Sequence, residues 1–380
     1  MRSDWQKRAT SWIVVAALGL TAVTNAAAQQ TAKPGSRAEA TRLIADLRRI
    51  VTPEGVERAE KVKIGGIEQW VTIRGVDKRN PVLLMLHGGP GFVEMPFSWY
   101  FQRGWEDYFT VVQWDQRGAG KTYLLNDPAK LEPTMTRERM VEDTEEMVAW
   151  LRREFGKDKI FVLGHSWGSV LGLEFAQRRP QWLHAYIGMG QVTNSPESER
   201  RGLQFALDRA QRDGNAEALR ELASIEGYAQ PGKPPKIEDL YLQRKWLGHY
   251  GGAMRSLQGY DTVSAAVALA PEYSDAEIAR IWEGNEFSEK RLLIEALQRD
   301  YSSVKRLDCP VILFNGRDDY NVSSALAAEW FGRLQAPSKQ LVWFERSAHV
   351  MFTEEPGKTL VSLVRYARPI AERAGDVAPE

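Results

Sequence analysis

Gly164-His165-Ser166-Trp167-Gly168 sets a serine between two glycines, directly after the apolar run Ile160–Leu163 and before a helix-compatible segment. A strand that turns sharply into a helix this way holds a hydroxyl up at the strand's C-terminal end. The turn forces the serine into a strained backbone conformation, and only small flanking residues leave room for it. A hydroxyl so presented attacks carbonyl groups once a base takes its proton. Ser166 is the candidate nucleophile.

A serine nucleophile needs a base, a carboxylate that orients the base, and donors for the oxyanion. The chain has five histidines: His87, His165, His184, His249 and His349. Only His349 lies in a loop directly after a late apolar strand, in Glu345-Arg346-Ser347-Ala348-His349. It is the candidate base. With a Gly-x-Ser-x-Gly elbow the chain order is serine, acid, histidine. The acid is therefore expected after the run Val311–Phe314, in Asn315-Gly316-Arg317-Asp318-Asp319. Adjacent side chains point different ways, so one of Asp318 and Asp319 reaches His349 and the other caps the loop. These residues alone leave the two open. One oxyanion donor is the amide of the residue after the serine, Trp167; the second comes from the loop after an early strand. His87-Gly88-Gly89-Pro90-Gly91 fits that loop and offers Gly89.

The elements that position these groups can be read from periodicity. Leu43, Ile44, Leu47 and Ile50 have helical spacing within Arg37–Ile50, and Thr52-Pro53-Glu54-Gly55 ends that helix. Val56–Ile64 and Ile67–Ile73 flank Gly65-Gly66 as a hairpin. Buried-type strands follow at Pro81–Leu86, Thr110–Trp114, Ile160–Leu163 and Ala185–Met189, with helices at Arg137–Phe155 and Val170–Arg178. Alternating apolar strands and helices predict an α/β fold, a mostly parallel sheet with helices on both faces. From Gln191 to about Ser303 the alternation stops. That stretch reads as helical and polar, broken at Gln230-Pro231-Gly232-Lys233-Pro234-Pro235. The alternation resumes with Val311–Phe314 and Leu341–Phe344, and a terminal helix follows Pro356. A helical block between two sheet strands is the sequence form of a lid.

Composition excludes several other classes. Of the 380 residues, 43% are hydrophobic and 26% charged, with 50 basic and 50 acidic side chains. That balance gives no global field for nucleic acid or an anionic membrane. The single cysteine, Cys309, allows no intramolecular disulfide and reads as a small packing residue. No metal-ligand spacing or dinucleotide fingerprint is present, so no cofactor is expected. Gly118-Ala119-Gly120-Lys121-Thr122 resembles the end of a phosphate-binding loop. That motif needs a glycine where Asp115 stands, so the segment is read as a plain loop after Thr110–Trp114.

Arg2, Lys7 and Arg8 precede the apolar stretch Trp12–Val23, which is short for a membrane span, and Ala26-Ala27-Ala28 offers a small-x-small cleavage site. The expectation is a cleaved signal peptide over residues 1–28 and a secreted or periplasmic protein, with no membrane association after cleavage. The expected organisation is a linker and helix over 29–60, a core over 61–190, a helical cap over 191–303 and the rest of the core over 304–380.

Four segments carry a resemblance to the α/β-hydrolase superfamily, and within it to the proline iminopeptidase-like serine peptidases. They are His87-Gly88-Gly89-Pro90-Gly91, Asp115-Gln116-Arg117-Gly118-Ala119-Gly120, Gly164-His165-Ser166-Trp167-Gly168-Ser169 and Gly316-Arg317-Asp318-Asp319. The resemblance spans roughly residues 60 to 370. It implies the α/β-hydrolase fold with an inserted helical cap, and release of an N-terminal residue, often proline, from a short peptide. Aligned on the family's Gly-Arg-x-Asp, the acid falls on Asp319, which completes the set Ser166, Asp319 and His349. The family holds the substrate's free amino group with cap carboxylates, for which Glu197, Glu226, Glu272, Glu283 and Glu286 are the candidates here. His165 departs from the family's usual glycine, and Gly-His-Ser is common among esterases and lipases of the superfamily. The alternative to a peptide substrate is a small ester or lactone. Relatives with an aspartate nucleophile are disfavoured by the serine at 166.

Overall fold

The computed structural model describes residues 35–379 apart from 226, 229, 231, 232, 234 and 256–259. The expected signal segment and cleavage site lie outside the described residues. One sheet holds the strands β1 (Val56–Ile64), β2 (Ile67–Gly75), β3 (Val82–Leu86), β4 (Thr110–Asp115), β5 (Ile160–His165), β6 (Leu183–Met189), β7 (Val311–Gly316) and β8 (Lys339–Phe344). Their spatial order is β1-β2-β4-β3-β5-β6-β7-β8. The first two pairings are antiparallel and the remaining five parallel.

The strand types follow from the residues. Every residue of β3, β4, β5, β6 and β7 is buried, as continuous apolar runs require when helices cover both faces. Side chains alternate between the faces. Leu84 and Leu86 of β3 join one core with Val162 and with Leu171 and Phe175 of the helix Trp167–Arg178. Leu83 and Met85 join the other core with Phe161, Leu163, Ile312 and Phe314, and with Leu363 and Ala367 near the C-terminus. The helix Arg137–Glu154 turns Met140, Val141, Met147, Val148 and Leu151 to the first of these cores. Its N-cap Thr136 accepts the Arg139 amide at 3.1 Å.

Between β6 and β7 the described residues hold helices and no named strand. Four of these helices, Ser195–Arg212, Ala216–Ala223, Ile237–His249 and Ile281–Ala296, contribute to a third core that includes Ala206, Ala210, Leu222, Leu240 and Trp246. Residues Ile44–Glu380 form one compact unit, so this block is not a separate body. Its Gly252 carbonyl accepts the amides of Tyr320 and Asn321 at 2.9 and 3.2 Å, and its Ala253 carbonyl accepts the His349 amide at 2.9 Å.

Some boundaries differ from the periodicity. β5 runs on to His165, and the next helix begins at Trp167 rather than Val170, so the turn between them consists of Ser166 alone. Gly118–Thr122 is not a plain loop: a short helix, Gly120–Leu125, begins inside it. Cys309 is buried against the first core, and burial pushes its thiol up to about 12.

Candidate active site

Ser166 has φ 52° and ψ −117°, and among the described residues it is the one non-glycine with positive φ. Such a conformation is costly for a residue with a Cβ and persists only where its surroundings fix it. Here the Ser166 amide donates to the Met189 carbonyl at 3.0 Å, and the Ser166 carbonyl accepts the Ser169 amide at 2.9 Å and the Ser169 hydroxyl at 2.6 Å. The two flanking glycines meet close backbone approaches. A Cβ on Gly168 would stand 2.0 Å from the Leu86 carbonyl oxygen, and one on Gly164 would stand 2.4 Å from that of Gly168.

The loops after β7 and β8 bring acid and base together. His349 Nδ1 lies 2.8 Å from Asp319 Oδ2, and Asp319 Oδ1 accepts the Val322 amide at 2.8 Å. The Asp319 side chain is fully buried. A carboxylate at Nδ1 makes that nitrogen the donor and leaves Nε2 as an acceptor for a hydroxyl proton. Asp318 points elsewhere and pairs with Arg255 at 2.5 Å on the surface. Ser166 and His349 open onto one cavity of about 500 Å³.

Gly89 and Trp167 line the same cavity. The Gly88 amide is engaged by Glu94 Oε1 and the Phe92 amide by the Gly88 carbonyl, both at 3.2 Å, while Gly89 lines the cavity and stays the loop's candidate donor. Trp167 is the first residue of its helix, where an amide has no acceptor within the helix and the helix dipole favours negative charge.

Aromatic side chains wall much of the cavity: Phe92, Phe97, Trp282 and Phe352. Phe92 stacks on Trp282 of the inserted block, with ring centroids 5.2 Å apart. Three carboxylates also line it, Glu94, Glu199 and Glu289. Arg244 grips Glu199 at 2.5 and 2.8 Å, and the Tyr228 hydroxyl adds a third bond at 2.6 Å. Glu289 accepts from Tyr241 at 2.9 Å, and burial pushes its carboxyl up. Glu94 is fully buried. Its Oε1 lies 2.5 Å from His165 Nδ1, whereas its Oε2 has no partner among the described residues. The other ring nitrogen of His165 donates to the His349 carbonyl at 3.0 Å. Burial would by itself keep His165 neutral, but the charge and hydrogen bond of Glu94 outweigh it and its pKa is raised.

None of the described acids singled out from the sequence borders the cavity. Glu197 pairs with Arg201, Glu272 with Arg48, Glu283 with Arg280 and Glu286 with Lys290. Glu226 lies outside the described residues. Glu199 did carry a signal, because it is in phase with the small buried residues Gly202, Ala206 and Ala210 of its helix. Glu94 carried none.

A second buried acid lies at the end of β4. Asp115 accepts the Tyr273 hydroxyl at 2.7 Å and the Lys121 amide at 2.8 Å. Burial pushes it up to about 7.

Residues 81–356 match the family model of the alpha/beta hydrolase fold. A probable aminopeptidase of Bacillus subtilis, YbaC, is 33% identical over 310 residues, which is 81% of this chain and 96% of the relative. A proline iminopeptidase of Heyndrickxia coagulans is 24% identical over 73% of this chain and 87% of its own. Among solved structures, a proline iminopeptidase-related protein from Thermus thermophilus superposes with a TM-score of 0.58 at 22% identity, covering 83% of this chain and 99% of its own. An esterase from Exiguobacterium antarcticum gives 0.53 at 16%, covering 82% and 100%.

Proposed function

The chain belongs to the α/β-hydrolase family, within its proline iminopeptidase-like group, and is a serine hydrolase; on that footing we propose that it is an exported aminopeptidase using Ser166, His349 and Asp319. The observation that carries this reading is the set of acids in the cavity beside the serine, of which Glu94 keeps one oxygen without a partner among the described residues. Glu94, Glu199 and Glu289 line it, and the only basic side chains among its described lining residues are Arg244, His165 and His349. Arg244 is committed to Glu199 by two hydrogen bonds. A substrate with a free ammonium group suits such a site. Burying acids beside a neutral ester gains nothing.

In this reading His349 Nε2 takes the Ser166 proton as Oγ attacks the carbonyl carbon. The oxygen becomes an anion held by the Gly89 and Trp167 amides, and losing one such donor typically costs on the order of 100-fold in rate. The C–N bond then breaks, His349 gives its proton to the leaving amine, and an acyl-serine remains. Water repeats the sequence, releasing the residue as a free acid. Asp319 holds the imidazole tautomer throughout. Export rests on the basic start, the apolar run Trp12–Val23 and the alanines at 26–28. A mature N-terminus at Gln29 in the secreted fraction is its check.

The test compares L-prolyl p-nitroanilide with its N-acetylated analogue and with p-nitrophenyl acetate, using wild type and Ser166→Ala. Serine-dependent cleavage that requires the free amine supports the aminopeptidase. Serine-dependent ester cleavage without amide turnover favours the second reading, a small-ester hydrolase, for which the aromatic walls around Phe92 and Trp282 would hold the acyl group.

A further inference from the structure

The α-nitrogen of an N-terminal residue stands about 2.5 Å from the carbon of the scissile carbonyl, fixed by two bonds and one angle. Whatever holds that ammonium must lie beside the nucleophile.

Glu94 lies there. A Cβ added to Gly88 would be 3.2 Å from Ser166 Cβ, 3.2 Å from His165 Nδ1 and 3.5 Å from Glu94 Oε1, so all three surround one point. Glu94 comes from the core, at the N-cap of the short helix Met95–Phe97, and not from the inserted helices. Its Oε1 is occupied twice, by the Gly88 amide and by His165. Its Oε2 is buried and without a partner among the described residues, and Glu94 is one of the residues that line the cavity. A buried carboxylate oxygen left unpaired costs free energy unless a ligand supplies the donor. The other two acids are less available. Glu199 is already neutralised by Arg244, and Glu289 is held by Tyr241 and Asn285.

The His165 contact makes the pair a prepared acceptor. Nε2 of His165 donates to the His349 carbonyl, so the contact between Nδ1 and Oε1 needs one further proton. An ammonium arriving at Oε2 draws negative charge onto Glu94 and the shared proton onto His165. The carboxylate is then bonded on both oxygens. This also gives a reason for a histidine at 165, since a glycine there could not hold Glu94.

We infer that Glu94 is the anchor for the substrate's free amino group, supplied by the core next to Ser166 in place of a cap carboxylate. The inference rests on the aminopeptidase reading.

The experiment measures one ratio on purified full-length protein: kcat/KM for L-prolyl p-nitroanilide over kcat/KM for its N-acetylated analogue. Glu94→Gln keeps the shape and removes the charge. The ratio is expected to fall on the order of 30-fold or more, the cost of removing one partner from a buried charged contact. A high wild-type ratio that Glu94→Gln leaves unchanged, even with both rates lowered, overturns the inference and leaves the aminopeptidase reading standing. A wild-type ratio near one overturns both. Should Glu94→Gln fail to fold, Glu94→Asp keeps the charge but shortens its reach. An intermediate ratio then supports the anchor, and an unchanged one overturns it.

Discussion

Gly190, at the end of β6, lies against the imidazole of His349: a Cβ there would stand 2.9 Å from Cε1 and 3.0 Å from Nδ1. The ring is thus fixed on one edge by Asp319 and on one side by bare backbone. Gly190→Ala should push the ring off its position and strain a residue at φ 55°. A displacement near 1 Å costs on the order of 100-fold in rate. Steady-state kinetics on the best substrate check it. A variant within a few-fold of wild type would show that the ring is not held from this side.

Ser166→Ala removes a hydroxyl from a turn that backbone bonds hold. Turnover should fall by roughly 10⁴- to 10⁶-fold. The far-ultraviolet circular dichroism and thermal midpoint should stay close to wild type, because the bonds to Met189 and Ser169 use backbone atoms of residue 166. Activity near wild type would place the nucleophile elsewhere.

The neighbouring aspartates should separate cleanly. Asp319→Asn replaces the acceptor at His349 Nδ1 with an amide that favours the wrong tautomer, and a loss on the order of 10⁴ in kcat is expected. Asp318→Asn breaks a surface pair with Arg255, which is worth about 1 kcal/mol or less in stability. Its kcat should stay within a few-fold of wild type. Equal losses would mean that the acid is shared or misassigned.

Asp115 predicts a pH effect on stability and not on chemistry. Its folded pKa is about 7, raised first by burial, while Tyr273, Lys121 and Glu277 face it. Between about pH 4 and pH 7 the folded chain therefore binds more protons than the unfolded chain. Stability from this group is full at the acid end and is lost as pH rises through 7. Urea midpoints of the wild type should fall from pH 5 to pH 8 by more than those of Asp115→Asn. Parallel slopes would show that Asp115 does not titrate in this range.

How much was legible in the sequence depended on whether a residue's role is local. Ser166 sits in a motif where Gly164 answers to the backbone of Gly168, a steric demand written within five residues, although Gly168 itself answers to Leu86 on another strand. The parallel strands were legible because continuous apolar runs have few other uses. Asp318 and Asp319 were not separable by pattern, since the difference lies in which one turns toward a histidine thirty residues later. The acids of the cavity were the least legible. Surface acids such as Glu283 and Glu286 look the same in sequence as Glu289, and only the packing of the helix Ile281–Ala296 decides which one faces inward. Glu94 has no periodic neighbour at all; its place is set by the Gly88 amide and His165.

The bonds from Gly252 and Ala253 to Tyr320, Asn321 and His349 bear on how such enzymes diversify. The segment that would set specificity also holds the backbone of His349, the proposed base, and of the loop beside Asp319, the proposed acid. Exchanging the whole helical block for that of a relative would therefore change more than the substrate. A chimera that keeps residues 252–253 from this chain should retain its reactivity toward small unselective esters. One that replaces them risks a well-folded protein with an idle serine. Inheritance of substrate choice and of catalytic competence is coupled through two carbonyl groups.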